Sequence, residues 1–147
     1  MNTQDISIKN EDELNSFCKK LAPYLSAPMI VGLTGDMGSG KTTFVRTLCK
    51  VLNSPDWVNS PTYSIIQRYK SPQFDVLHID LYRLNGDMDI DLLDIPSQIG
   101  QTTLVLIEWI NKTDQFDPDL SIHISTIDDT RRSLTIRSSN PWVNEIR

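Results

Sequence analysis

Residues 35–42 read Gly-Asp-Met-Gly-Ser-Gly-Lys-Thr, a full match to the phosphate-binding pattern G-x-x-x-x-G-K-[ST]. The chemistry of that spacing is the grip of a phosphate chain. Gly35, Gly38 and Gly40 let the backbone curl so that its N–H groups, those of Asp36, Met37 and Ser39 included, converge on an anion. The N-terminus of the helix that starts around Thr43 adds its partial positive charge. Lys41 is placed to reach β- and γ-phosphate oxygens, and the Thr42 hydroxyl to ligate Mg²⁺. A glycine turn without a ligand is the bland alternative. The apolar run Met29–Leu33 ahead of the loop and the amphipathic stretch Thr43–Leu52 behind it supply the strand–loop–helix setting, so nucleoside triphosphate binding is expected.

A phosphate grip alone does not hydrolyse anything. The metal needs another anchor and the γ-phosphate needs a water in line. Two acids end apolar strand-like runs: Asp80 follows Val76-Leu77-His78-Ile79, and Glu108 follows Leu104-Val105-Leu106-Ile107. Strand ends are where a parallel sheet delivers side chains to a ligand. Either acid suits the metal, and spacing does not choose between them. Ser60-Pro61-Thr62-Tyr63 puts a threonine about twenty residues beyond Lys41, as in the switch of P-loop GTPases. Taken alone, a proline turn opening a strand explains it equally well.

The elements around these residues read as α/β. A short edge strand is expected at Asp5–Ile8. Asn10 and Glu13 form a capping box before a helix carrying Leu14, Phe17, Cys18, Leu21 and Leu25. Phe44, Val45, Leu48, Val51 and Leu52 form the buried stripe of the helix after the P-loop, which stops at Asn53-Ser54-Pro55. Thr62–Tyr69 and Phe74–Asp80 suit a hairpin, 88–99 a weak helix interrupted by Pro96, and 104–107 a strand buried on both faces. Leu120–Ile127 and Ser133–Arg137 read as a second hairpin. The expected fold is a P-loop NTPase filling residues 1–147 as one domain. Its central mixed, largely parallel sheet is extended by antiparallel strands and flanked by helices.

Together, GDMGSGKT, SPTY at 60–63, His78-Ile79-Asp80-Leu81-Tyr82-Arg83 and Glu108-Trp109 resemble the bacterial TsaE (YjeE) family. Those small ATPases serve tRNA threonylcarbamoyladenosine synthesis. The resemblance spans about half the chain, from the P-loop strand to Trp109. It implies ATP and Mg²⁺ as cofactors, and TsaD and TsaB as partners that transfer threonylcarbamoyl to adenosine 37 of tRNA. Position by position it implies phosphate and metal contacts at Lys41 and Thr42, and a γ-phosphate sensor at Thr62. Asp80 and Glu108 become the metal and water-orienting acids, with Trp109 near the nucleotide. Arg83 then belongs either near the phosphates or at the partner interface, with a structural salt bridge as the plain alternative. His78 shares a strand face with Asp80, where it either orients an acid or is a satisfied core histidine.

Composition bounds the rest. The 147 residues carry a formal net charge of −5, which offers no electrostatic footprint for nucleic acid. Contact with tRNA is therefore expected only through a partner, and contact with DNA not at all. Arg131, Arg132, Arg137 and Arg147 read as solvated surface. No run is long and apolar enough to span a membrane, and the first residues lack the pattern of a secretory or transit segment, so a cytoplasmic location is expected. Cys18 and Cys49 fall on apolar faces as free thiols. The serious rival is a GTPase, since Asn111-Lys112-Thr113-Asp114 matches the guanine-reading N-K-x-D. It begins three residues too late after the strand end, and Asp80 is not followed by the D-x-x-G pattern. Two weaker rivals are a small-molecule kinase and a nucleotide-dependent interaction module with incidental hydrolysis. The Asp87-Met88-Asp89-Ile90-Asp91 run lacks the glycine and glutamate of a calcium loop.

Overall fold

The computed structural model describes residues 1–58 and 65–146. In chain order the elements are β1 (Asn2–Ile8), α1 (Glu11–Leu21), β2 (Met29–Thr34), α2 (Lys41–Val51), β3 (Ile66–Lys70) and β4 (Asp75–Asp80). There follow α3 (Asp87–Leu92), α4 (Ile95–Gln98), β5 (Thr103–Glu108), β6 (Leu120–Thr126) and β7 (Arg132–Ser138), with short 3-10 turns between. One seven-stranded sheet runs in the order β1-β7-β6-β2-β5-β4-β3. The four central strands β6-β2-β5-β4 are mutually parallel, and β3, β7 and β1 add antiparallel pairings at the margins. The sheet is thus mixed, with a parallel centre extended by antiparallel strands, as expected.

Alternation along β4 and β5 divides the core. Val76, Leu104 and Leu106 join the cluster beneath α1 and α2, whereas Leu77, Ile79, Val105 and Ile107 join Ile90 and Ile95 on the other face. β5 is buried along its whole length, as its continuous apolar run predicts. On α2, Phe44, Val45 and Leu48 are fully covered, each worth about 2 kcal/mol by transfer from water alone. α1 buries Leu14, Phe17, Cys18 and Leu21 against them. Its cap is nearly the expected box: Asn10 Oδ1 accepts from the Glu13 N–H at 2.9 Å, but the Glu13 carboxylate reaches back to the Lys9 N–H at 2.7 Å. α2 ends as expected at Asn53, whose φ of 62° lets Ser54 N–H reach the Cys49 carbonyl at 3.0 Å.

Three expectations shift. β1 starts three residues early because its polar first half is held by pairing with β7, residue by residue from Asn2↔Ser138. The 88–99 region is two short helices, and the break is at Asp94 (φ 50°) rather than at Pro96, which sits in the first turn of α4. The first hairpin begins at Ile66; its expected start at Thr62 lies outside the described residues.

Burial pushes both thiols up to about 12 from an ordinary 9.0. Neither Cys18 nor Cys49 should alkylate with iodoacetamide at pH 8 in the native protein, while both should do so in guanidinium. Because the folded values are raised, stability should also fall as pH climbs above 9. Rapid native labelling at either position would contradict the burial.

Candidate nucleotide site

The P-loop forms because β2 ends beneath the start of α2 and the chain between must reverse in six residues. Gly35 takes φ 144°, and a Cβ there would lie 2.5 Å from the Ile124 carbonyl oxygen, so no other residue fits without displacing β6. Gly38 and Gly40 also hold positive φ (78° and 110°). The Lys41 ammonium donates to the carbonyls of Gly35 (2.8 Å) and Asp36 (3.0 Å). An ammonium has three donors, so one remains for a phosphate oxygen. The Trp109 indole lies 4.3 Å from Nζ, a cation–π contact. Burial pulls the Lys41 ammonium below the usual lysine value, against the opposing pull of Glu108, Asp80 and Asp36.

The two acids arrive through sheet register. Glu108 pairs with Leu33 on one side and Asp80 on the other, so both carboxylates stand beside the loop. The environments differ. Glu108 is 2% exposed and accepts the Thr42 hydroxyl with both oxygens at 3.0 Å. Asp80 is half-buried, and its Oδ1 accepts the Tyr82 N–H at 3.0 Å. Desolvation raises the Asp80 carboxyl above the ordinary 3.8, aided by the negative charge of Glu108 and opposed by that hydrogen bond, His78 and Lys41. Among the described residues no three His, Cys, Asp or Glu side chains are grouped to hold a metal by themselves. The oxygen set of Thr42, Glu108 and Asp80 suits Mg²⁺, a hard cation that keeps waters and takes its other ligands from phosphates.

Met37, Gly38, Thr43, Tyr82, Arg83 and Trp109 complete a cleft of about 420 Å³ around these groups. Trp109 reaches it through a left-handed turn (φ 59°) directly after β5, anchored by its N–H on the Leu33 carbonyl at 2.9 Å. Across the loop a second cleft, about 360 Å³, lies between Leu14, Ser39, Gly40, Phe44, Ile124 and Arg132. Ser39 Oγ is buried there without a partner among the described residues.

Of the expected site residues, Gly35–Thr43, Asp80, Glu108 and Trp109 come together. Thr62 lies outside the described residues. His78 is bound to Glu108 rather than to Asp80, its neighbour on the same strand face. Arg132 is not mere surface: its Nε donates to the Ser39 carbonyl at 2.9 Å and ties the β6–β7 hairpin to the loop. Tyr82, quoted in the 78–83 motif without a role, has its ring centroid 5.0 Å from that of Trp109. Lys112 of the N-K-x-D match donates to the Tyr82 carbonyl at 2.6 Å, a bracing role that spends its ammonium away from any base. His123 is a surface histidine, sharing a 2.8 Å hydrogen bond with Thr34.

The family model described as "Threonylcarbamoyl adenosine biosynthesis protein TsaE" matches residues 8–134. The chain belongs to the TsaE family. It is 35% identical to the tRNA threonylcarbamoyladenosine biosynthesis protein TsaE of Rickettsia bellii, over 92% of this chain and 95% of the relative. It is 31% identical to the protein of that name from Haemophilus influenzae, over 95% and 92%. The crystal structure of Bacillus subtilis YdiB has the same fold, with a TM-score of 0.73 at 24% identity, covering 99% of this chain and 91% of that one.

An acid whose proton is held more tightly folded than unfolded stabilises at low pH and loses that contribution as pH rises through the raised value. Ionised Asp80 therefore costs stability at neutral pH. Asp80→Asn should melt a few degrees higher than the native protein at pH 7.5 in EDTA, with the gap closing near pH 3. A variant that melts lower at pH 7.5 would show that Asp80 is instead held by favourable charge pairing.

Proposed function

We propose that this TsaE-family chain is the Mg²⁺-dependent, ATP-hydrolysing subunit of the tRNA threonylcarbamoyladenosine machinery, acting in the cytoplasm with TsaD and TsaB. The relatives' shared name supports the pathway. The observation that carries the hydrolytic reading is the Thr42–Glu108 contact, which joins the last P-loop residue to an acid at the end of the neighbouring strand. The helix N-terminus, the loop N–H groups and the free donor of Lys41 neutralise the triphosphate. The second cleft, apolar on Leu14, Phe44 and Ile124, offers room for the nucleoside on the far side of Gly40. Thr42, with Glu108 and Asp80 beside it, would hold Mg²⁺, which when bound offsets the charge on the phosphoryl oxygens. Glu108 or Asp80 accepts a hydrogen bond from the attacking water and fixes its line of approach. Thr62 completes the reading as the γ-phosphate sensor. The −5 net charge argues that tRNA is held by the partners and not by this chain.

Phosphate release from Mg·ATP and Mg·GTP, with and without purified TsaD and TsaB, tests this. Slow ATP-selective turnover that rises with the pair is expected. Lys41→Ala should lose nucleotide affinity. Glu108→Ala should keep affinity within a few-fold and lose turnover by roughly 10²-fold, the usual weight of a positioned acid or base. GTP preference, indifference to the pair, or transfer of phosphate to a metabolite would overturn the reading.

A further inference from the structure

Glu108 is a buried carboxylate on a three-torsion side chain, and something must hold it still. Thr42 supplies one contact from the P-loop side. The other comes from His78, whose Nε2 lies 2.5 Å from Glu108 Oε2 with both side chains nearly inaccessible (0% and 3%). A carboxylate only accepts, so the imidazole donates. The ring is itself fixed at its far nitrogen: Nδ1 shares a 3.1 Å hydrogen bond with the Tyr69 hydroxyl, whose oxygen also lies against Gln67 Oε1. Tyr69 is 4% exposed, and its ring centroid lies 5.8 Å from that of the imidazole. A continuous chain, buried at Tyr69, His78 and Glu108, thus runs Gln67–Tyr69–His78–Glu108–Thr42, from edge strand β3 across β4 and β5 to the first turn of α2.

We infer that His78, braced by Tyr69, is a positioning residue for phosphoryl chemistry: it holds Glu108 Oε2 from the sheet side and so fixes the rotation of the carboxylate, whose two oxygens share the Thr42 hydroxyl on the loop side. This rests on the hydrolytic role proposed for Glu108. The arrangement is more specific than packing demands. An apolar residue of similar volume at position 78 would fill the same space beside Val76 and Leu106, but would strip the buried carboxylate of its hydrogen bond from the sheet side. Ring fixation at the second nitrogen is the device by which ligand-orienting histidines hold one tautomer and one orientation. Removing such an outer contact costs 10–100-fold where the contacted group acts in the reaction.

The test is a double-mutant cycle in steady-state phosphate release, with ADP affinity measured by calorimetry on each variant. His78→Leu should lower kcat roughly 10–100-fold while ADP affinity stays within threefold. His78→Gln, which returns an N–H donor, should recover most of that loss. In the Glu108→Gln background, His78→Leu should cost less than twofold further, because its effect passes through Glu108. Tyr69→Phe, which keeps the ring and removes only the hydroxyl, should lower kcat by several-fold with the same non-additivity. It carries the test if His78→Leu fails to fold. Full multiplicative losses on the Glu108→Gln background would overturn the inference and make His78 a structural residue. So would a kcat unchanged in both His78→Leu and Tyr69→Phe. If Glu108→Gln alone keeps native turnover, the hydrolytic role of Glu108 fails instead, and that outcome is separately visible.

Discussion

The hydrogen bond from Thr42 to Glu108 is the contact around which the rest of this molecule is arranged. It requires that the first turn of α2 and the last residue of β5 meet, although 66 positions separate them. That meeting depends on β2 and β5 being parallel neighbours in one register, with Leu33 opposite Glu108. A shift by one residue would turn Glu108 into the face that holds Val105 and Ile107 and leave the hydroxyl facing an isoleucine. The fully buried length of β5 resists that slip, because its apolar residues alternate between two separate clusters and each must find its own. Core packing and site geometry are therefore one constraint here.

Around that contact the site resolves a conflict of charge. The chain is acidic overall, yet the proposed function asks the groove to accept a polyanion. The proposed grip relies on a helix N-terminus and on an ammonium held by two carbonyls of its own loop. The acids are kept from defeating that field by being paired or partly desolvated. Glu108 is paired with Thr42 and His78, and burial makes Asp80 hold its proton more tightly than an exposed aspartate. Trp109 covers the ammonium from the side, and reaching that position takes a left-handed backbone turn that costs a large residue of order 1 kcal/mol.

How much of this was legible in the sequence depends on whether a feature is local. The P-loop, both strand-ending acids, the α1 cap and the buried run of β5 are encoded within a few residues, and each reads correctly. What sequence leaves open is what the sheet decides. Asp80 and Glu108 look equivalent as strand ends, and only the strand order, with β5 beside β2 and β4 one place further out, distinguishes them. His78 shares a strand face with Asp80, and one-dimensional alternation does not say which acid it meets. Its actual partner is diagonal, on the next strand. Arg132 meets the loop across 93 residues, and Tyr69 meets His78 from an edge strand, with no periodic signal in either case. The polar half of β1 likewise becomes a strand only because β7 offers it a ladder.

The same geometry gives the N-K-x-D letters a structural role. Asn111-Lys112-Thr113-Asp114 has the right letters, but Trp109 and the turn after it intervene between β5 and Asn111. That insertion directs Lys112 back onto the Tyr82 carbonyl, and Thr113 donates to Asp87 at 2.8 Å. The turn braces Tyr82 and Trp109 beside the P-loop cleft. A motif is thus a statement about where a strand ends relative to its neighbours, and three extra residues convert a purine reader into a strut. The strut has its own use, since it holds the aromatic pair beside Lys41 and thereby helps fix the ammonium within the loop.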